Sequence, residues 1–448
     1  NRHSGIWSES VYRLSKTAGA NDTQMLDIKE NYVKIEGLQI SLTNAGGYTG
    51  CNAVNIDSQV ADSAVDINSN ILKGTITEAN SEGMGIYVSG ADTTAKIYNN
   101  IIYDFVNGTT ANTAGITTAT GGRYYLYNNT LIDNYLGINI GAGIVVAKNN
   151  LVKGSGNDNT YIGTFANGTD YNATEGTDDI GQGANNKTEQ AFSFVNEASD
   201  DFHLALTDTG AKDSGTNLSN DSNISFSVDI DGDTPIDTWD IGADEEMTVI
   251  WDGSASSNWA TGANWAGGVA PTADSDVIID GNYTNAPIVY LSSGAKTIKS
   301  LSLGANNAST LTLSNGNSTT NKLVVTGDAN IGANGTLTHT ANTTAQTHTI
   351  NMEAANFTIA SGGTINANYK GYQVSSGPGQ GADNNHVTNY RGGGAGYGGD
   401  GGDGYGPNAG GSSYGSLTAP VAIGSGGGRA SGGRGGGAVK LTVSGTTT

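Results

Sequence analysis

Carboxylates dominate the side chains of this sequence that could do chemistry. Residues 170–245 hold 18 acidic and only 2 basic side chains. Within them Asp229, Asp231 and Asp233 alternate around Gly232 in "DIDGD". Hard cations favour oxygen clusters of this kind, so Ca²⁺ is the one cofactor candidate, although a complete calcium loop with its terminal Glu is missing; the alternative is a solvated acidic surface. A second motif, "GAGYGG" at 394–399, satisfies G-x-G-x-x-G. A phosphate-cradling loop needs a hydrophobic strand before it and a helix after it, so that N–H groups and the helix dipole meet the anion. Here "NNHVTNYRG" precedes the motif and more glycine follows, which argues against a nucleotide site. Arg391-Gly-Gly and Arg434-Gly-Gly resemble RNA-binding segments, but so few arginines in a chain of net charge −22 make a poor trap for nucleic acid.

Acid–base catalysis on a polysaccharide would need carboxylates set side by side. Asp66, Asp104 and Asp133 fall at scattered positions, and Arg123 is the only arginine between Arg13 and Arg391. His203 lies in the acidic segment, where a structural role is expected. The expectation is a non-enzymatic protein, with no catalytic residue assigned.

The charge is unevenly placed. Residues 1–246 carry 33 acidic and 12 basic side chains, 247–370 carry 6 and 4, and 371–448 carry 3 and 4. Strong acidity disfavours nucleic acid and anionic membranes as partners. No apolar run is long enough to span a bilayer, so no membrane insertion is expected. Cys51 is alone, so no internal disulfide is available. The opening at Asn1 and the strand-like ending "VKLTVSGTTT" suggest a fragment of a longer, exported polypeptide.

These residues sit on a repeat. VDINSNIL (65–72), AKIYNNII (95–102), YYLYNNTL (124–131) and VVAKNNLV (145–152) each place an apolar strand before an asparagine corner. The last asparagines, Asn70, Asn100, Asn129 and Asn150, step by 30, 29 and 21 residues. KIEGLQI (34–40) is an earlier rung without asparagine. Repeats of this length with β-branched strands indicate stacked coils, with Ile97 and Ile101 inward and the four asparagines forming an amide ladder along the axis. Hairpin turns of an antiparallel sheet are the rival explanation, but they do not repeat with this spacing and strand order.

Residues 25–152 resemble bacterial right-handed parallel β-helix repeat proteins. "FSFVNEASDDFHL" (192–204), "KDSGTNL" (212–218), "DIDGD" (229–233) and "DIGADE" (240–245) resemble the closing segment of secreted members of that group. The resemblance implies a parallel β-helix over 1–246, with the closing segment capping its open end. It also implies secretion, hence an extracellular or cell-surface location.

"VIWDGSASSNWATGANWAGGVAPTADSDVIIDG" (249–281) places three of the five tryptophans within fifteen residues. It resembles the opening of β-solenoid units in large bacterial surface proteins. These tryptophans are expected to cap a second solenoid over 247–370, with a sugar-stacking platform as the rival reading. SLSL, TLTL, KLVVTG, GTLTHT, HTINM and FTIASGGTI supply its strands. The tract 371–437 holds 26 of the 68 glycines. With the final strand it forms a third segment, 371–448, either an insertion in a rung or a separate layer. Its side chains are too small for a core, so it is expected in a contact, more readily with a neighbouring subunit, with Tyr390, Tyr397, Tyr405 and Tyr414 as spacers. The sequence thus predicts an all-β, extracellular structural protein that self-associates into a filament or array. An adhesin for surface glycans and a polysaccharide lyase-like enzyme are the alternatives.

Overall fold

The computed structural model describes residues 3, 5–58, 60, 63–107, 113–154, 160–177, 180, 183–235, 238–266, 268–281, 283–316, 320–383, 391–405, 407–416, 418, 420–429 and 432–448. They form two compact units, Asn1–Glu246 and Met247–Thr448. Both are parallel β-solenoids, and among the described residues regular helix is confined to the short 3-10 turns Glu197–Ser199 and Gly262–Asn264.

In the first unit one rung runs through Ile71–Ile76, Gly83–Val88 and Thr93–Tyr98, and the next begins at Ile101–Tyr103. Stacking the rungs produces three sheets of seven, six and five strands. The register is strict: Ile35, Ile67, Ile97, Leu126 and Ala147 lie over one another. A second column joins Val54, Ile86, Ile116 and Ile138. Ile67, Ile97, Leu126, Ile86 and Ile116 are fully buried in one core, and each such side chain contributes roughly 1.5–3 kcal/mol.

Asparagines make the corner between the third sheet and the first. The first residue of each pair is left-handed: Asn99, Asn128 and Asn149 have φ of 54°, 48° and 54°, and Ser69 has 52°. Asparagine tolerates this region better than most residues. The second residue turns inward as the ladder. Asn70 Nδ2 donates to Asn100 Oδ1 (3.1 Å), Asn100 Nδ2 to Asn129 Oδ1 (3.0 Å) and Asn129 Nδ2 to Asn150 Oδ1 (2.9 Å). Each Oδ1 also accepts the main-chain N–H of the preceding asparagine. The ladder continues through Asn172 and Asn186, and below it Leu38 N donates to Asn70 Oδ1 in the rung without asparagine.

Two expectations are corrected. Ile101 is buried but points away from the coil interior, because the inward position next to it belongs to Ile102. The closing segment does not cap the coil end; it lies along the flank. Phe202, Leu204, Ile230, Ile241 and Ala243 cover the outward column Ile71, Ile101 and Leu151. Leu218, Ile224 and Trp239 cover Tyr127 and Val146. A sheet whose outer residues are as apolar as its inner ones needs such a cover.

The second unit stacks Thr248–Ile250, Asp276–Ile279, Ser300–Leu303, Leu323–Ile331, Ile350–Ile359 and Val439–Val443 in one parallel sheet, with Lys296–Ile298 beside Leu323–Ile331. Ile288–Tyr290, Ser309–Ser314, Gly335–His339 and Thr364–Asn366 form the facing sheet. Ile350 pairs with Val439, so the glycine tract is an insertion between one rung and the next.

That tract orders itself through its backbone. Gly393 N donates to Ala382 O, Gly394 N to Gly402 O and Gly396 N to Gly379 O, while Gly428 N and Gly411 N donate to Gly393 O and Gly394 O. A strand bonds to two neighbours in one plane; residues 393–396 bond to four surrounding segments instead. The glycines are required by this closeness. A Cβ on Gly410 would stand 1.7 Å from Gly401 O, and one on Gly435 would stand 1.7 Å from Gly424 O. Tyr397 and Tyr414 meet edge-on at 5.1 Å, Tyr405 is about half exposed, and Tyr390 lies outside the described residues. The described part of the tract thus packs through backbone bonds among its own segments.

Replacing Asn100 with Ala should destabilise the first unit by about 1–3 kcal/mol for each backbone group left unpaired. Ile97→Asp should cost more, because it buries a charge. Thermal melts of the two variants check both, and unchanged melting of Ile97→Asp would remove the inward assignment. In the tract, Gly435→Ala should disrupt the layer while Gly436→Ala, whose Cβ would meet nothing within 4 Å, should leave it intact. Amide exchange over 371–437 distinguishes them.

Candidate functional site

The closing segment has little regular structure, so its backbone needs other partners, and its carboxylates provide them. Asp208 Oδ1 accepts the N–H groups of Gly210, Ala211 and Lys212, and its Oδ2 accepts Ser193 N at 2.7 Å. Asp229 Oδ1 accepts Asp231, Gly232 and Asp233 N at 2.8–2.9 Å, and Oδ2 accepts Glu245 N. Asp240 takes the amides of Asp213 and Glu246, and Glu245 takes that of Asp240. Burial pushes the pKa values of Asp229, Asp240 and Glu245 upward, and these amide bonds oppose the rise.

The expected calcium triplet is not brought together. Asp229 spends both oxygens on backbone amides, and Asp231 turns to His203 Nε2 at 2.8 Å. Among the described residues, the group with metal-ligand spacing is His203, Asp231 and Asp244, whose ligand atoms all lie within 4.8 Å of one another. Asp201 Oδ1 holds the other ring nitrogen, Nδ1, at 2.6 Å, and Asp244 Oδ1 stands 3.9 Å from Nε2. Burial alone would lower the His203 pKa. Its bonds to Asp201 and Asp231 and the Asp244 charge outweigh that and raise it to about 11. Sequence reading passed over this group because its members are 28 and 41 residues from His203; the local signal was Asp201-Phe-His203.

Asp104 and Asp133 also require a correction. They are not scattered: Tyr103 pairs with Ile132, so the two aspartates follow in register on adjacent rungs, with φ of 64° and 51°. Burial pushes Asp104 up to about 6, with Lys73 opposing and Asp200 and Asp133 adding. The lysines flanking this pair are engaged by the closing segment, Lys73 with Asp200 at 2.6 Å and Lys153 with Glu197. Asp66 stands elsewhere, between Lys34 and Lys96 on the third sheet.

The tryptophans are structural. Trp251, Trp259 and Trp265 are buried, and Trp265 meets the other two edge-on at 4.9 and 4.7 Å. Trp251 Nε1 donates to Asn285 O and Trp265 Nε1 to Trp259 O, both at 2.8 Å. With the rings buried, the sugar-stacking platform is overturned. In "GAGYGG" the N–H groups of Gly394 and Gly396 are spent inside the glycine layer.

One open groove, of about 260 Å³, lies on the outer face of the second sheet of the first unit, lined by Met84, Tyr87, Ala114, Thr117, Asn139 and Gly141 among others. Thr117 is 6% exposed, and its Oγ1 has no hydrogen-bond partner. Compared with known proteins, the chain matches no family model, no curated protein and no solved structure.

Asp208→Ala would strand four amides at once. At about 1–3 kcal/mol for each group that water does not reach, and with the Gly210 and Ala211 bonds buried, the variant should lose at least about 2 kcal/mol. Limited proteolysis within 190–245 should quicken while the coils stay resistant; cleavage at the parent rate would show that the carboxylate does not hold the segment.

Proposed function

We propose that this protein is a structural component of an extracellular or cell-surface assembly and that it self-associates through an open solenoid end. The observation carrying this reading is the first rung. Leu14–Thr17, Gln24–Ile28 and Val33–Glu36 each pair with a strand on one side only among the described residues. The apolar side chains there, Met25, Leu26, Val33 and Ile35, are only partly buried. Three parallel edges without a partner among the described residues, around a half-covered core, fit the edge of another parallel coil, whether an earlier coil of a longer polypeptide or a second copy, and the occupant proposed is a second copy of this chain. The resemblance to secreted bacterial β-helix proteins and the acidic, lysine-poor composition support the location.

Sedimentation velocity tests the reading. The parent chain should form oligomers that grow with concentration, and Met25→Lys with Ile35→Lys should yield monomers that retain the parental circular dichroism. A monomeric parent, or oligomers that persist unchanged in the double variant, would refute it.

A second reading, binding of a surface glycan, is favoured by the Thr117 groove. It combines an aromatic face in Tyr87, a buried hydroxyl without a partner and the Asn139 amide, the mixture that small-molecule sites use. Tyr87→Ala and Thr117→Val should each abolish glycan-array signals while leaving sedimentation unchanged.

A further inference from the structure

We infer that His203, Asp231 and Asp244 form a binding site for one divalent transition-metal ion, with Zn²⁺ as the representative, and that this ion ties three stretches of the closing segment to one another. The donors come from three separate stretches of that segment: Asp201–Leu204, the turn at 229–233 and the run at 240–245. The three donors thus converge from stretches 28 and 13 residues apart in the chain, at positions 203, 231 and 244. Zn²⁺ with N and O ligands at roughly 2.0–2.2 Å separates tetrahedral ligand atoms by about 3.3–3.5 Å. The distances from His203 Nε2 to Asp231 Oδ2 and Asp244 Oδ1, 2.8 and 3.9 Å, bracket that separation, and the ligand atoms of the two carboxylates lie within 4.8 Å of each other.

Two further features point the same way. Asp201 accepts from Nδ1 and so directs Nε2 at the two carboxylates, the carboxylate–histidine arrangement that orients metal-bound imidazoles. The chain also crosses the group at a glycine. A Cβ on Gly5 would stand 2.2 Å from Asp231 Oδ1 and 2.3 Å from His203 Nε2, so any other residue there would intrude among the ligand atoms. The donor set decides the metal class. An imidazole nitrogen with two carboxylates suits zinc-like ions, whereas Ca²⁺ takes oxygen only. With both ring nitrogens bonded to carboxylates, the metal-free ring carries two protons. Binding therefore breaks the Nε2–H bond, forms the Nε2–metal bond and releases that proton to solvent.

The test is calorimetry on the full chain after chelator treatment, titrated with Zn²⁺, Mn²⁺ and Ca²⁺ in two buffers of different ionisation enthalpy. One Zn²⁺ per chain, about one proton released and a raised melting temperature are expected. Asp201→Asn should weaken Zn²⁺ binding by about 10–100-fold, and Asp233→Asn, in the same turn but outside the group, should bind like the parent. Absence of Zn²⁺ binding, preference for Ca²⁺, or Zn²⁺ binding unaltered in both Asp201→Asn and Gly5→Ala would overturn the assignment and leave an imidazolium held among carboxylates. Self-association is measured separately and does not decide this outcome.

Discussion

A stacked coil must satisfy its own backbone at every corner, and in the first unit one side-chain amide does this. Strands pair rung to rung, but a corner breaks that pattern and leaves N–H and C=O groups facing a dry interior. The asparagine amide carries both a donor and an acceptor, as the peptide does. Asn100 Nδ2 reaches Ile67 O at 2.9 Å and Asn129 Oδ1 at 3.0 Å, while its Oδ1 receives two bonds from Asn70. The ladder tolerates rungs of different length. The step from Asn129 to Asn150 is 21 residues and that from Asn100 to Asn129 is 29, yet the amide distances are 2.9 and 3.0 Å. Length changes must therefore be absorbed at the other corners, which keeps the apolar columns in register.

The same corner couples the coils to their cover. The left-handed asparagine of each pair points outward, where Asn99 Nδ2 bonds Val228 O and Asn149 clasps Thr216 through both its amide atoms. Two adjacent asparagines thus have opposite duties, one inside the stack and one holding the closing segment. That segment then repeats the principle with carboxylates: where no neighbouring strand is present, Asp208 and Asp229 each gather four amides. Its acidity is largely a consequence of irregular backbone.

This explains which features could be read in the sequence. The ladder was legible because its chemistry recurs at a fixed place relative to apolar strands, and Asn70, Asn100, Asn129 and Asn150 all carry it. Asn172 and Asn186 were not legible, since Tyr171 replaces the first asparagine of one pair and the last step is 14 residues. Ile101 was misplaced because the first sheet is buried on both faces, and alternation carries no sign in such a strand. The register of Asp104 with Asp133 depends on where strands begin, which spacing alone leaves uncertain by a residue or two. His203 and its carboxylates were hidden for a different reason: they converge only after the segment folds back on the flank.

The glycine layer shows the opposite solution to the same constraint. In the coils, side chains fill the interior and an amide completes the corners. Among the described residues of 371–437 the interior is mostly backbone around a few buried side chains such as Ile423, and adjacent segments approach until a Cβ would overlap a carbonyl oxygen, as at Gly381, Gly411 and Gly428. Glycine loses the most conformational entropy on ordering, so the layer can be stable only if many bonds form together and a scaffold fixes its ends. Both conditions hold. Bonds such as Tyr372 N to Gly424 O and Gly435 N to Tyr372 O knit remote parts of the tract, and its flanks enter the second solenoid at Thr364–Asn366 and Val439–Val443. The strand after the tract pairs along Ile350–Ile359, so the rung that receives the insertion also closes it. The solenoid supplies the fixed ends that a glycine layer lacks, and the absence of side chains lets the layer pack between them.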